Sequence, residues 1–197
     1  MILDCTALIL AGGESRRMGQ DKARLRLGEQ TLLQRVTAIV QPLFFKVIVS
    51  TRERRADCDL PQVFDAPMYA GPLAGLAAGL ECIKTPWMFA VACDMPFITP
   101  RLIENIASRR DNFDAVVPVF QGCPQPLAGF YATRIEYELR DVLQGGGKGS
   151  LRELLARLHV CYVDEAEIPE ADHAAFFDLD TPEEMKLAMK KVNQWNT

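Results

Sequence analysis

Four short apolar runs, each set off from the next by a segment with helical spacing, constrain this chain more than any other feature. "CTALIL" (5–10), "KVIVST" (46–51), "WMFAVAC" (87–93) and "DAVVPV" (114–119) read as strands. "TLLQRVTAIVQPL" (31–43), "PLAGLAAGLECI" (72–83) and "PRLIENIASRR" (100–110) read as helices, with Pro42 closing the first and a proline opening each of the other two. Strands separated by helices cannot be joined by tight turns, so they pair in parallel and carry their helices on the sheet faces. The uninterrupted apolarity of 87–93 marks a strand buried on both sides. The expected fold is α/β, a Rossmann-like layered fold with a mostly parallel central sheet flanked by helices.

Beyond residue 120 the rhythm loosens. "PLAGFYA" (126–132) reads as a strand, and "RIEYELRDVL" (134–143) and "SLRELLARL" (150–158) as helices. "TPEEMKLAMKKVNQW" (181–195) reads as a capped helix with its acids early and its lysines late, which suits the helix dipole. No repeat, low-complexity tract or linker interrupts the 197 residues, which are read as a single domain, 1–197.

The net charge of −4 argues against a nucleic-acid-binding face, so an anionic ligand has to be held by local positive charge. Six cysteines, at 5, 58, 82, 93, 123 and 161, form no C-x-x-C pair, and His159 and His173 lie far from one another and from any such pair. A zinc site is not expected. Several of the thiols fall inside apolar runs, where they act as small hydrophobes. No signal-like segment and no membrane-length apolar stretch is visible, so the expectation is a cytoplasmic protein that contacts neither membrane nor nucleic acid.

The first strand runs into "LILAGGESRRMGQDK" (8–22). Gly12 and Gly13 let backbone N–H groups approach an anion, and Arg16, Arg17 and Lys22 supply charge for phosphate oxygens. Neither phosphate-loop template fits. The G-x-x-x-x-G-K-[ST] pattern fails because Asp21 precedes Lys22, and G-x-G-x-x-G is absent. "GGGKGS" (145–150) fails the first template as well, since Val142 stands where its first glycine belongs.

Four other stretches carry chemistry. Asp94, in "VACDMPF", ends the most apolar strand, where ligands of parallel sheets sit; it is placed to hold Mg²⁺ or to cap the next turn. Asp65, in "FDAPMYAGPLAGL", is placed to accept from a base or ribose, with Gly71 at the following helix start and Gly75 and Gly79 allowing close packing on its face. "GCPQPLAGFY" offers a surface for a second substrate with Gln125 as its polar reader, or a plain hairpin. "GGGKGSL" offers Lys148 to a second phosphate, or a surface loop. Met185 and Met189 read as filler, and no Ser-His-Asp or Cys-His arrangement is visible.

Taken together, "LILAGGESRRMGQDKA", "GPLAGL", "CDMPFI", "QPLAGFY" and "FFDLDTPEEM" resemble the molybdenum cofactor guanylyltransferases, the MobA family of nucleotidyltransferases, from residue 6 to about 190. The resemblance implies the fold of the nucleotide-diphospho-sugar transferases, GTP as donor, Mg²⁺ as cofactor, and molybdopterin or molybdenum-molybdopterin as acceptor. It also implies partners among the molybdenum-insertion and molybdoenzyme-maturation proteins. On the matching positions it implies nucleotide contacts at Leu10, Ala11, Gly12 and Gly13, a phosphate role for Lys22, the polar strand-end contact at Ser50 (where a relative has Asn), the guanosine-side acid at Asp65, and the magnesium ligand at Asp94. Asp178 and Asp180 stand where the family pattern has amides.

The chemistry expected is in-line attack of the acceptor's terminal phosphate on the α-phosphorus of GTP. Arg16 and Lys22 stabilise the departing pyrophosphate and Asp94 holds the metal. The alternatives are a cytidylyltransferase of the same fold, whose loops resemble "LAAG" more than "LAGG", and a non-catalytic nucleotide-binding regulator, which would not need both Lys22 and Asp94.

Overall fold

The computed structural model describes residues 1–12, 14–15, 20–66, 68–69, 71–145, 149–177, 179 and 182–195. Strand β1 (Ile2–Leu10) lies in the middle of the main sheet. Two small antiparallel pairs follow, β2 (Glu14–Ser15) with β3 (Gln20–Asp21) and β4 (Arg26–Leu27) with β5 (Gln30–Thr31). Helix α1 (Leu32–Val40) begins at a reciprocal cap, in which Thr31 Oγ1 accepts from the Gln34 N–H while Gln34 Oε1 accepts from the Thr31 N–H. Then come β6 (Phe44–Thr51), β7 (Gln62–Phe64), α2 (Pro72–Cys82), β8 (Trp87–Ala92), α3 (Pro100–Ala107), β9 (Ala115–Phe120), β10 (Cys123–Pro124), β11 (Ala128–Ala132), α4 (Glu136–Gln144), α5 (Leu151–Leu155), β12 (Val160–Val163) and α6 (Pro182–Trp195).

The sheet order is β10-β9-β11-β8-β1-β6-β7, with β12 paired on β9. β1, β6, β7 and β8 run parallel, as does β12 on β9. β11 runs antiparallel between β8 and β9. Its direction follows from its connection. Between β9 and β11 the chain makes a tight turn at Gln121 (φ 51°) and Gly122 (φ 73°) and has no helix to carry it over the sheet.

Alternation along β1 sorts the core into two layers. Cys5, Ala7 and Ile9 face the side covered by Val36 and Val40 of α1 and by Leu102, Ile103 and Ile106 of α3. Leu8 faces Leu73, Leu76 and Leu80 of α2 and Leu139 and Val142 of α4. A smaller cluster joins Leu27, Leu32 and Phe97 to Leu179, Met185 and Ala188, and so docks α6 beside the first loop's return. Met185 is thus core and Met189 is exposed.

Helix α2 is glycine-bearing because it lies directly on the strands. A Cβ on Gly75 would stand 2.7 Å from Ser50 Oγ and 2.8 Å from Leu10 Cδ2; one on Gly79 would stand 2.6 Å from Leu8 Cδ2. Leu8 and Met88 beneath it are fully buried and have nowhere to retreat. Gly79→Val is therefore expected to destabilise the fold by about 2–3 kcal/mol through overpacking. A urea unfolding midpoint equal to that of the wild type, at unchanged slope, would contradict this close packing.

Candidate active site

The three central parallel strands end level. Leu10 lies opposite Ser50 of β6 and Ala92 of β8. The backbone then ties the outgoing loops to one another. The Ala11 N–H donates to the Ser50 carbonyl (2.8 Å), the Cys93 N–H to the Leu10 carbonyl (3.0 Å), and the Asp65 N–H to the Thr51 carbonyl (3.2 Å). These bonds give each side chain beyond the sheet a fixed origin.

Above them is a cavity of about 180 Å³. Leu10, Gly12, Lys22, Ser50, Asp65, Gly71 and Asp94, all singled out in the sequence, line it. Ala11 is buried beside it, with its N–H engaged by Ser50, and acts by setting the path into Gly12. Gly71 has φ +86°, a conformation that favours glycine, and it caps α2 just before Pro72. Gly13, Arg16, Arg17, Lys148, Asp178 and Asp180 lie outside the described residues. Gln125 is not a wall of the cavity. Its side chain donates to the Cys123 carbonyl (3.3 Å) and its N–H to the Pro118 carbonyl, within the turn that precedes β11.

Two polar pairs flank β1. On the β8 side, Lys22 Nζ stands 2.7 Å from Asp94 Oδ2, with side chains 17% and 26% exposed. Lys22 reaches this position from a 3₁₀ turn, Lys22–Arg24, capped by Asp21, whose Oδ1 accepts from the Ala23 N–H (3.0 Å). On the β6–β7 side, Ser50 Oγ donates to Asp65 Oδ1 (2.7 Å). Gly12 abuts the other oxygen, since a Cβ there would lie 3.3 Å from Asp65 Oδ2. A side chain at position 12 would crowd that half-buried acceptor.

Burial pushes the Asp65 carboxyl above its usual range, against the opposing pull of the Ser50 hydroxyl and the Arg52 charge. Its folded pKa is raised, so the stability it contributes is full below the unfolded pKa and is lost as pH rises through the folded one. Ionisation of this carboxyl is therefore a cost to the fold. Asp65→Asn is expected to unfold at a higher temperature than the wild type at pH 7, with the gap closing below about pH 4, where the wild-type carboxyl is itself neutral. A lower melting temperature for Asp65→Asn at pH 7 would show that this carboxylate stabilises the fold instead.

The donor set fits a hard divalent cation held jointly with a ligand. Among the described residues no three His, Cys, Asp or Glu side chains gather into a cage. Asp94 instead presents one carboxylate to the cavity and already has an ammonium seated on one of its oxygens. One carboxylate completed by phosphate oxygens and water is how Mg²⁺ is commonly held. Neighbouring Cys93 supplies no nucleophile, because its burial and the adjacent Asp94 charge raise its pKa well above the ordinary thiol range.

Arg52, Pro72, Ala92, Cys93 and Leu127 also line the cavity and were not anticipated. For Arg52 a signal existed, a charge directly after the polar end of an apolar strand. For Leu127 the signal was the surrounding stretch "GCPQPLAGFY", read as a surface for a second substrate, although Gln125 and not Leu127 was its expected reader. Leu127 reaches the cavity because β11 inserts antiparallel beside β8, where the Leu127 carbonyl accepts from the Ala92 N–H (3.1 Å). Pairing between strands distant in sequence leaves no local mark.

Comparison with known proteins places the chain in a family and a fold. The MobA-like NTP transferase domain matches residues 7–161. A probable molybdenum cofactor guanylyltransferase of Pelotomaculum thermopropionicum is 34% identical, over 95% of this chain and 93% of that protein. One from Chloroflexus aggregans is also 34% identical, over 97% and 96%. Among solved structures, molybdopterin-guanine dinucleotide biosynthesis protein A of Archaeoglobus fulgidus superposes with a TM-score of 0.85 at 24% identity, covering 96% of this chain and 99% of that one. At that identity the likeness establishes the fold.

Proposed function

The chain belongs to the MobA-like NTP transferase family, and from that premise we propose that it transfers GMP from GTP to the terminal phosphate of molybdopterin, with or without bound molybdenum, releasing pyrophosphate. The observation that carries this reading is the pair of polar sites on either side of β1: a base-reading carboxylate, Asp65, and a phosphate- and metal-facing pair, Lys22 and Asp94, in the walls of one cavity.

In this reading Asp65 accepts hydrogen bonds from the N1–H and amino group of guanine. Ser50, donating to Oδ1, fixes the carboxylate plane, and Gly12 keeps the face beside Oδ2 clear. The triphosphate follows the first loop, where the N–H groups beyond Ala11 and the ammonium of Lys22 meet its oxygens. Asp94 would hold a magnesium ion, which when bound neutralises charge on the phosphates. An oxygen of the acceptor's phosphate attacks the α-phosphorus; the new P–O bond forms as the bond to the bridging α–β oxygen breaks, and both electrons of that bond leave with pyrophosphate. No covalent intermediate on the protein is required. The residues act by holding attacking and leaving oxygens in line and by matching charge.

Steady-state assays of the purified chain with molybdopterin-loaded carrier protein, comparing GTP with CTP, test the assignment. GTP is expected to be preferred by roughly 10²-fold or more in kcat/KM, because cytosine has no N1–H donor and leaves Asp65 unmatched. Equal use of CTP would move the chain to cytidylyl transfer. Absence of pyrophosphate release with either nucleotide would remove the activity altogether.

A further inference from the structure

Resting on that reading, we propose that Arg55 is the positioning residue of the first loop: it clamps Asp21 so that Lys22 stands over Asp94. Arg55 sits in "TRERRAD", among charges that are otherwise on the surface. Arg52, Glu53 and Arg54 are exposed, whereas Arg55 is 8% exposed. Its backbone is held from both sides by one side chain of β7. Gln62 Oε1 accepts from the Arg55 N–H (2.8 Å), and Gln62 Nε2 donates to the Arg55 carbonyl (2.8 Å). From that anchored base the guanidinium donates through Nη1 to Asp21 Oδ2 (2.5 Å) and through Nη2 to Asp57 Oδ2 (3.1 Å).

Asp21 uses its other oxygen to cap the turn that begins at Lys22. The chain of contacts is therefore continuous. Arg55 fixes Asp21, Asp21 fixes the turn, and the turn aims Lys22 Nζ at Asp94 Oδ2. It links the segment after β6 to the far end of the first loop, two stretches that share no main-sheet pairing.

Arg55 is poorly suited to being a stabiliser alone. Its buried Nε has no hydrogen-bond partner among the described residues. Its two carboxylate partners are 36% and 43% exposed and stay hydrated if it is removed. Asp57 also retains Arg24 (Nε to Oδ2, 3.1 Å). Loss of one partner is costly where it strands a buried charge, and here no carboxylate is stranded away from water. A loss of function without a matching loss of stability is then diagnostic of positioning.

The test reads the position of Lys22 directly and its consequence separately. In the intact, nucleotide-free chain, limiting acetic anhydride with mass-spectrometric readout reports the reactivity of Lys22 relative to exposed Lys46. Arg55→Met is expected to raise that ratio at least about twofold, as the amine leaves its carboxylate. The same variant should lower kcat about tenfold, with the KM for GTP changed much less, as small misplacements near reacting groups do. Arg55→Lys should restore only part of this, since an ammonium cannot fork across two carboxylates. In a Lys22→Met background, Arg55→Met should add nothing. Wild-type labelling in Arg55→Met, or a double variant that falls by the product of the single effects, would overturn the proposal. If Arg55→Met does not fold, Asp21→Asn is expected to raise Lys22 labelling in the same direction, and an unchanged ratio there would overturn it equally. Failure of GMP transfer by the wild type would count against the activity and not the clamp, because the labelling ratio still decides the latter.

Discussion

Asp94→Ala is expected to reduce turnover by about 10³-fold or more while leaving the protein folded. The side chain is a quarter exposed and lies beyond the end of β8, outside the apolar layers that hold the sheet together, so its removal opens no cavity in the core. What it removes is the carboxylate that Asp94 presents to the cavity wall on the β8 side, and with it the proposed site for a divalent cation. Loss of preorganised charge at a reacting phosphate is among the largest single effects available to an active site. Asp94→Asn separates charge from shape. It keeps the volume and an acceptor oxygen near Lys22 but cannot neutralise a cation, and it should be nearly as inactive. Circular dichroism and unfolding midpoints close to wild type, with turnover lost in both variants, are the expected combination. Near-normal turnover by Asp94→Ala at ordinary Mg²⁺ concentration would exclude Asp94 as the metal ligand.

Asp94 is legible in the sequence as a single residue, whereas Leu127 is legible only as part of a stretch, and the contrast shows what kind of information the sequence carries here. The end of an unbroken apolar run is a local feature, and in a parallel sheet it also marks the site. Leu10, Ser50 and Ala92 are level because three strands of similar length run the same way, so loops far apart in sequence open onto the same space. Apolar runs and proline positions located β1, β6, β8, α2 and α3 to within a few residues for the same reason. The failures are of two kinds. Three-residue β7 and four-residue β12 are too short to show a period, and α5 ends at Leu155 although its helical spacing continues to Leu158. The other kind is partnership. Nothing local distinguishes Arg55 from Arg54, yet one is buried between two aspartates and the other is exposed. Gly75 and Gly79 are an intermediate case: their spacing puts them on one face of α2, and tertiary packing brings Ser50 and Leu8 beneath them.

The Lys22–Asp94 pair bears on the mechanism in a way that neither residue does alone. The ammonium stands on the carboxylate at 2.7 Å and offsets its charge. With GTP in place, Lys22 is expected to turn toward the β- and γ-phosphate oxygens, a move its flexible four-carbon stem allows from a backbone fixed by the Asp21 cap. Its charge then matters most when pyrophosphate is departing and negative charge on those oxygens is growing. Lys22→Ala should accordingly lower kcat by about 10²-fold and leave the KM for GTP within a few-fold, because the interaction lost is stronger in the transition state than in the bound ground state. Lys22→Arg should recover activity only in part, since a planar guanidinium cannot occupy the narrow space over Asp94 in the same way. The same truncation relieves Asp94 of its resident cation, so Mn²⁺ should bind the nucleotide-free Lys22→Ala protein more tightly than the wild type, a readout by electron paramagnetic resonance that needs no turnover. Single-turnover rates at saturating GTP and acceptor decide the catalytic half of this expectation. A wild-type rate in Lys22→Ala would reduce Lys22 to a loop charge that happens to meet an aspartate, and the glycine- and arginine-rich loop would lose the residue on which its reading as a phosphate cradle most depends.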